Sequence, residues 1–191
     1  MTKSEPGARI ARQVADLPPD SRRAADEAIC RHVTDWEVYR RAEAVFCYVG
    51  TAREIDTRPI LRDALAAGKV LAVPLCVARG IMEARQIRSL EDLIPGKYGI
   101  LEPRADCPLV SPEALDLVLA PCAAGSAGGL RLGYGGGYYD RFLPRVRCPK
   151  ALLCRGRLVR EDIPTEDHDQ RMDVLVTEEG LTDCRRARPA S

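Results

Sequence analysis

Short unbroken apolar runs recur along the chain and alternate with amphipathic stretches. The runs occupy residues 44–49, 70–74, 116–121, 151–154 and 173–177. Runs of this length favour strands that are buried on both faces, as the strands of a parallel sheet are. The pattern therefore predicts several buried strands with helical segments between them.

Two of the amphipathic stretches are typical of helices. Residues 22–33 follow a helix-start sequence at residues 18–21, and their apolar side chains share one face. That face is formed by Ala25, Ile29, Cys30 and Val33. A second helix opens at Thr57 and stops at Gly68, between the first two runs, and completes a strand–helix–strand unit. The alternation predicts an α/β fold, with a mostly parallel sheet covered by helices, in a single domain over residues 1–191.

Three other segments depart from this alternation. Residues 82–87 alternate polar and apolar side chains, which predicts a strand with one solvent-facing side. Residues 102–112 are rich in proline and are expected to form a surface connection. Residues 185–191 are expected to be a frayed tail rather than a nucleic-acid-binding segment, because three arginines make few phosphate contacts.

Charge and composition exclude several function classes. The 191-residue chain has 29 Lys and Arg against 28 Asp and Glu, so no overall field draws it to nucleic acid or to a membrane surface. No segment approaches the roughly 20 apolar residues of a membrane span, and the first residues lack the apolar core of a signal peptide. We therefore expect a cytoplasmic monomer whose partner is a small molecule, with no nucleic-acid or membrane partner.

The 8 cysteines are scattered, with no Cys-x-x-Cys pair and no histidine at zinc-finger spacing. Several lie inside apolar runs, as Cys47 does, which indicates buried thiols in a reducing compartment. Cys122 and Cys154 fall near the candidate site described next. Reactive thiols at these two positions therefore stay an alternative.

A glycine-rich segment follows the third apolar run. It reads Leu132-Gly133-Tyr134-Gly135-Gly136-Gly137-Tyr138-Tyr139-Asp140, and Arg141-Phe142-Leu143 after it is typical of a first helical turn. Strand, glycine loop and helix in this order present backbone N–H groups and a positive dipole end to an anion. The glycines allow positive φ angles and a close approach of phosphate oxygens. The segment predicts a phosphate-binding loop, for ATP with Mg²⁺.

Charged residues around the loop fit the same ligand. Arg131 and Arg141 bracket the loop with positive charge, and Asp140 supplies a hard oxygen of the kind that Mg²⁺ prefers. The segment is not a Walker A sequence, which needs Gly-x-x-x-x-Gly-Lys-Ser/Thr, and a dinucleotide fingerprint read from Gly135 would need glycine at position 140. A glycine-rich surface loop with solvated charges is the alternative.

Residues 131–140, Arg-Leu-Gly-Tyr-Gly-Gly-Gly-Tyr-Tyr-Asp, resemble the signature of the 5-formyltetrahydrofolate cyclo-ligases, also called methenyltetrahydrofolate synthetases. The resemblance continues through residues 53–57, 68–69, 98–103, 163–169 and 173–178, and so covers most of the chain. It implies a three-layer Rossmann-like domain. It also implies a ligase that converts 5-formyltetrahydrofolate to 5,10-methenyltetrahydrofolate with ATP and Mg²⁺, by phosphorylation of the formyl oxygen and attack by N10.

The resemblance assigns roles residue by residue. Arg131 and Asp140 would be catalytic, Asp140 and Asp169 would bind Mg²⁺, and Val49 and Glu54 would contact the folate. Nucleotide contacts would come from Lys3, Arg131, Gly133, Tyr134, Gly135, Gly136, Gly137, Tyr138 and Tyr139. Three alternatives stay open: Lys3 as a tail residue, Glu54 as a cap of the helix after Thr57, and Asp169 as a turn residue. His168 is interpreted as a local hydrogen-bonding residue rather than a general acid or base.

The chain departs from the family pattern mainly at folate-side positions. Gly125 and Ser126 stand where the family has Phe-Asp, and both are expected to face the acyl substrate. Gly7 replaces an arginine, while Arg155 and Leu158 replace an aromatic residue and a glutamine. Because the phosphate and metal positions are intact, a working cyclo-ligase is favoured. The alternative is a divergent paralogue that binds nucleotide or a folate-like ligand without turnover, and an ATP-dependent enzyme with another acyl-amine substrate lies between the two.

Overall fold

The computed structural model describes residues 18–96, 99–165 and 170–187. The strands within these residues are β1 (Ala44–Cys47), β2 (Val70–Ala78), β3 (Ile81–Ile87), β4 (Leu93–Pro95), β5 (Leu101–Pro103), β6 (Leu109–Val110), β7 (Leu117–Ala120), β8 (Ala124–Gly125), β9 (Arg131–Leu132), β10 (Lys150–Leu153), β11 (Val174–Thr177) and β12 (Gly180–Asp183). The α-helices are α1 (Pro19–Asp35), α2 (Glu37–Arg41), α3 (Arg58–Ala66) and α4 (Tyr138–Phe142).

One large sheet forms the centre of the fold, in the strand order β12-β11-β10-β7-β1-β2-β3-β6. The consecutive strands from β11 to β2 are mutually parallel. At the edges, β3, β6 and β12 run antiparallel to their neighbours. Each of the predicted apolar runs overlaps one of the parallel strands, so the mostly parallel sheet is confirmed.

The predictions for the two less regular segments, residues 82–87 and 102–112, had different outcomes. Residues 82–87 form most of β3, as predicted. The surface connection predicted for residues 102–112 is partly wrong, because β5 pairs with β4, β6 pairs with the edge strand β3, and Glu102 and Cys107 are buried. Pairings of so few residues leave too short a repeat to be recognised in a sequence.

The two long helices begin and end close to their predicted positions. α3 carries Pro59 in its first turn and ends just before Gly68, whose φ of 73° lies in the left-handed region that favours glycine. α1 contains the whole of the predicted residues 22–33. Its buried residues include Asp26 beside the predicted apolar side chains. A buried carboxylate was not expected, because an apolar repeat carries no signal for it.

Apolar side chains cover both faces of the sheet. On one face, residues such as Val45 and Leu117 pack with side chains of α1, α2 and α3. On the other face, residues such as Phe46 and Leu152 pack with α4, with the segment that follows it and with the hairpin β8–β9. The arrangement confirms the three-layer α/β fold, although one outer layer is built largely from short elements and loops.

Gly125 lies in β8, against the sheet. A Cβ atom at this position would come within 2.6 Å of Cδ2 of Leu152. Ser126 is also buried, and its Oγ accepts the N–H of Leu130 at 2.9 Å. The expectation that these two residues face the acyl substrate is therefore wrong. The short hairpin turns them toward the core, which their distance along the chain from the glycine loop does not reveal.

We predict that Gly125→Phe destabilises the protein and does not create a ligand contact. Overpacking a filled core costs about 1–3 kcal/mol of unfolding free energy. In a Leu152→Ala background, which opens space beside position 125, the same substitution should cost less. Urea unfolding of the four proteins in this double-mutant cycle measures the difference. Equal costs in the two backgrounds would contradict the packing of Gly125 against Leu152.

Candidate active site

The parallel strands end at one edge of the sheet, where the candidate residues gather. The chain passes from β1 to β2 on one side and later places β7 on the other side of β1. In open α/β sheets such a reversal leaves a crevice beyond the carboxyl ends of the strands, and ligands usually bind there. Segments that follow β1 and β10 line a pocket at this edge.

The turn after β1 carries Val49 and Glu54, the two predicted folate contacts. Val49 is 8% exposed. Oε1 of Glu54 accepts the N–H of Thr51 at 3.2 Å and closes the turn of residues 51–56, which we call the Glu54 turn. Oγ1 of Thr57 donates to the carbonyl of Tyr48 at 2.7 Å, at the end of the same loop. Glu54 therefore stabilises its own turn and does not cap α3, which was the alternative for it.

Arg155 follows β10 and forms a buried ion pair with Asp26 of α1. Its Nε and Nη2 donate to the two carboxylate oxygens of Asp26 at 2.8 and 3.0 Å. Nη1 donates to the carbonyl of Arg53 at 3.2 Å, and Nη2 to that of Glu54 at 3.1 Å. Burial lowers the pKa of Arg155, but the hydrogen bond and charge of Asp26 outweigh it and hold the pKa above its ordinary value. The arginine that replaces a family aromatic residue is thus fully paired.

The Glu54 turn, Arg155 and the first part of α1 border a pocket of about 740 Å³, within the usual size range of small-molecule sites. The pocket is lined by apolar residues and by charged residues of both signs, with carboxylates at Asp26, Glu27, Glu54 and Asp56. The apolar residues include Leu90, Leu93 and Leu101, and the charged ones include Arg22, Arg23 and Arg62.

The glycine loop runs from β9 to α4. The φ angles of Gly135 and Gly137 are 95° and 73°, and a Cβ atom at either position would meet no atom within 4 Å. Gly137 is the N-cap residue of α4, which begins at Tyr138 rather than at the expected Arg141. The loop therefore leads its open backbone directly into the first N–H groups of a short helix.

The positive φ expected at Gly133 and Gly136 is not found. A Cβ atom on Gly133 would lie 3.1 Å from a guanidinium nitrogen of Arg131, and one on Gly136 would lie 2.6 Å from the ring of Tyr138. These two glycines make room for neighbouring side chains instead. A sequence does not show whether a glycine is there to allow a positive φ angle or to make room for a neighbouring side chain.

Arg131 is fixed in place by two strands and by α4. Its Nε donates to the carbonyl of Pro121, just after β7, at 2.6 Å. Its guanidinium carbon lies 4.5 Å from the ring centroid of Tyr139, and that ring meets Phe46 of β1 edge-on at 6.4 Å. Tyr139 therefore anchors α4 on the sheet and supports Arg131 at the same time.

Glu54 lies where the pocket and the glycine loop meet. Burial raises the pKa of its carboxyl group, whereas the hydrogen bonds from Thr51 and the charges of Arg131 and Arg155 lower it; the net direction is upward. Arg131 belongs to the loop side and Arg155 to the pocket side. The Glu54 carboxyl group thus lines the pocket and is also within reach of the charge of Arg131, a predicted nucleotide contact.

The metal prediction is only partly covered by the structure. Asp140 lies in α4 and is partly exposed. Across residues 18–96, 99–165 and 170–187, no group of three or more His, Cys, Asp or Glu side chains is placed to hold a metal ion. Lys3, Gly7, His168 and Asp169 lie outside the described residues, so what was predicted for them stays a prediction.

The cysteines form no disulfide. Cys122 and Cys154 are both buried. A hydrogen bond with Cys122, together with burial, raises the pKa of Cys154 well above its ordinary value, so this thiol stays protonated. The hydroxyl of the exposed Tyr134 donates to the carbonyl of Cys122 at 3.2 Å. The alternative of a reactive thiol finds no support at Cys154.

Comparison with known proteins identifies relatives of this chain. The family model described as "5-formyltetrahydrofolate cyclo-ligase family" matches residues 4–178. An Arabidopsis thaliana protein named "5-formyltetrahydrofolate cyclo-ligase, mitochondrial" is 30% identical, over 90% of this chain and 72% of its own length. A Schizosaccharomyces pombe protein named "Probable 5-formyltetrahydrofolate cyclo-ligase" is 29% identical, over 80% of this chain and 83% of its own length.

A solved structure leads to the same family. The NMR structure of 5,10-methenyltetrahydrofolate synthetase from Aquifex aeolicus superposes with a TM-score of 0.87 at 29% identity, covering 100% of this chain and 97% of the other. The chain belongs to the 5-formyltetrahydrofolate cyclo-ligase family. Membership confirms the resemblance seen in the sequence, the fold class and the expectation of an enzyme. Within the described residues, no helix is long and apolar enough to cross a membrane.

Two departures from the family pattern now have structural explanations. Arg155 completes the ion pair with Asp26, and Leu158 is buried in the apolar cluster that also holds Leu152. Asp26 itself was missed in the sequence because carboxylates of amphipathic helices usually face solvent. An unexplained arginine in a predicted core segment was the available signal, since such an arginine requires a buried acceptor.

We predict that Glu54→Gln changes how stability depends on pH. A carboxyl group whose pKa is raised by folding stabilises the fold while protonated, and this contribution is lost as the pH rises from its ordinary pKa of 4.5 through the raised value. The glutamine side chain keeps an oxygen that accepts the N–H of Thr51 but does not ionise. The melting temperature of the variant relative to the native protein should therefore increase from pH 4 to pH 8. If the melting temperatures of the two proteins changed in parallel with pH, the raised pKa of Glu54 would be contradicted.

Proposed function

We propose that this chain converts 5-formyltetrahydrofolate to 5,10-methenyltetrahydrofolate with ATP and Mg²⁺. The observation that carries the proposal is the meeting of two unlike surfaces at Glu54. One is an open glycine loop beside a fixed arginine, and the other is a pocket lined by apolar side chains, arginines and carboxylates. The names of the Arabidopsis thaliana and Schizosaccharomyces pombe relatives and of the Aquifex aeolicus protein support the same conversion.

The pocket suits the chemistry of the folate. 5-Formyltetrahydrofolate has a bicyclic ring system with N–H groups at one end and glutamate carboxylates at the other. Leu90, Leu93 and Leu101 can contact apolar ring surface, while the arginines can pair with carboxylates. Glu54, beside Val49, offers oxygens to ring N–H groups.

The glycine loop suits the phosphates of ATP. Positive φ at Gly135 and Gly137 leaves backbone N–H groups accessible on an exposed surface. When bound, ATP supplies the phosphoryl group that makes the formyl oxygen a leaving group, after which N10 of the folate attacks the formyl carbon. Arg131, held by Pro121 and Tyr139, provides a fixed positive charge beside that transfer. Catalysis by Arg131 therefore consists of positioning and charge stabilisation.

Mg²⁺ would be held by Asp140 together with Asp169. Asp140 lies in the first turn of α4 and is partly exposed, so its carboxylate is accessible to a hard cation. We further propose that the protein acts as a cytoplasmic monomer. The Arabidopsis relative is named mitochondrial, so compartments differ within the family.

The decisive experiment is incubation of the purified protein with 5-formyltetrahydrofolate and MgATP while the absorbance of the methenyl product is followed. Absorbance should rise only when both substrates are present. Tight binding of ATP and of the folate without a rise would favour a divergent binding paralogue. ATP hydrolysis stimulated by a different N-acyl compound would indicate another substrate of the same class.

We predict that Gly135→Ala weakens ATP binding, whereas Gly68→Ala does not. Both glycines have positive φ and open space for a Cβ atom, so both substitutions should cost about 1–2 kcal/mol of backbone strain. Only at position 135 can relief of that strain move the loop away from the phosphates. Titration with ATP should show a loss of roughly tenfold for Gly135→Ala alone. Equal ATP affinity of the two folded variants would support a plain surface loop.

We predict that Asp140→Asn raises the Mg²⁺ concentration needed for ATP-dependent turnover. Asparagine keeps the shape of the side chain but removes a hard anionic ligand, so thermal stability should stay within about 0.5 kcal/mol of the native protein. Asp35→Asn, at the exposed end of α1, removes the same charge elsewhere and is the control. An unchanged Mg²⁺ dependence for Asp140→Asn would remove Asp140 from the metal site.

A further inference from the structure

Arg155 and Asp26 form a buried ion pair that connects three separate parts of the chain: the segment after β10, α1 and the Glu54 turn. Arg155 follows β10, Asp26 lies in α1, and both border the pocket. They are 4% and 7% exposed. A buried pair of this kind contributes little net stability compared with apolar residues of the same size, because both charges lose their hydration. Its presence beside the pocket points to a role in geometry.

The hydrogen bonds of the pair converge on the Glu54 turn. The Arg155 guanidinium donates to the carbonyls of Arg53 and Glu54 at 3.2 and 3.1 Å. Oδ2 of Asp26 accepts the N–H of Asp56 at 3.1 Å. The pair therefore holds the backbone in the middle and at the C-terminal end of the turn, while Arg155 and Asp26 also hold each other.

Fixing this backbone also fixes the carboxyl group of Glu54. Within the turn, Oε1 of Glu54 accepts the N–H of Thr51 at 3.2 Å. The turn is partly exposed at Thr51 and exposed at Ala52 and Arg53. Without Arg155, the carbonyls of Arg53 and Glu54 would turn to water, and the position of the Glu54 carboxyl group would be less defined.

We propose that Arg155, through its buried pair with Asp26, is a positioning residue that holds the Glu54 turn in the geometry that binds the acyl substrate. The inference rests on the proposed function, because Glu54 is taken to contact that substrate. A planar guanidinium fork is required, since it pairs with a carboxylate and donates to two carbonyls at once, which an ammonium group does not.

The test separates geometry from stability by using a double variant. Arg155→Met alone leaves an unpaired buried carboxylate and is expected to unfold easily. Asp26→Asn/Arg155→Met removes both charges, keeps an oxygen that can accept the N–H of Asp56, and should fold. For this double variant we expect KM for 5-formyltetrahydrofolate to rise about tenfold or more, with KM for ATP unchanged within about twofold.

Two further variants exclude simpler explanations. Arg155→Lys keeps the charge without the fork and should also raise KM for the folate, whereas a purely electrostatic role would be rescued by lysine. Tyr39→Phe removes a different, partly buried hydrogen bond, from the Tyr39 hydroxyl to Asp63 at 2.6 Å, and should leave both KM values unchanged. A native KM for the folate in the folded double variant would overturn the proposal.

A second readout does not depend on the reaction. Amide hydrogen exchange of residues 53–56 should accelerate about tenfold or more in the double variant, and not in Tyr39→Phe. If the native protein neither binds nor converts 5-formyltetrahydrofolate, the proposed function fails. Faster exchange would then still support the positioning role, and unchanged exchange would reject it.

Discussion

Burial of both faces of the central sheet is the constraint on which the rest of the molecule depends. Side chains of β1, β7 and β10 are almost fully buried, so these strands offer no room for polar groups along their length. Polar and charged side chains therefore gather at the carboxyl ends of the strands. Backbone carbonyls just beyond the last strand residues also need hydrogen-bond partners there, because the pairing between strands has ended. Thr57, Arg131 and Arg155 supply them by donating to carbonyls that follow β1 and β7. The same side chains thus complete the fold and build the site.

The two halves of the candidate site depend on different structural features, one on backbone conformation and the other on paired side chains. The glycine loop, the proposed nucleotide-binding half, depends on backbone shape at Gly135 and Gly137, where almost any side chain would be strained. The pocket half depends on side chains that hold one another, as Arg155 and Asp26 do. Paired side chains can be exchanged together without breaking a strand, whereas a phosphate-binding backbone cannot be exchanged piecemeal. Among the described departures from the family pattern, Arg155 lines the pocket, whereas Gly125, Ser126 and Leu158 are buried in the core.

Sequence patterns predicted the features that repeat over many residues. The parallel strands, α1 and α3 each produce a run or a helical repeat, and the glycine loop produces a motif. Each feature that the sequence patterns missed depends on a contact with one residue that lies far away along the chain. Asp26 is explained only by Arg155, and Gly125 only by Leu152. Short strands such as β6 and the difference between Gly135 and Gly136 also depend on tertiary contacts that no local pattern encodes.

The environment of Glu54 shows how such distant contacts set the chemistry of the site. Two arginines act on this carboxyl group, yet its pKa is raised. Both arginines are committed elsewhere: Arg131 to Pro121 and the Tyr139 ring, Arg155 to Asp26 and two carbonyls. Their charges reach Glu54 without forming an ion pair with it, so burial outweighs them. The fold therefore keeps a carboxyl group that is only weakly compensated, and a ligand that donates N–H groups to it would supply the missing partner. An arginine in direct contact with Glu54 would instead occupy the oxygens that such a ligand would use.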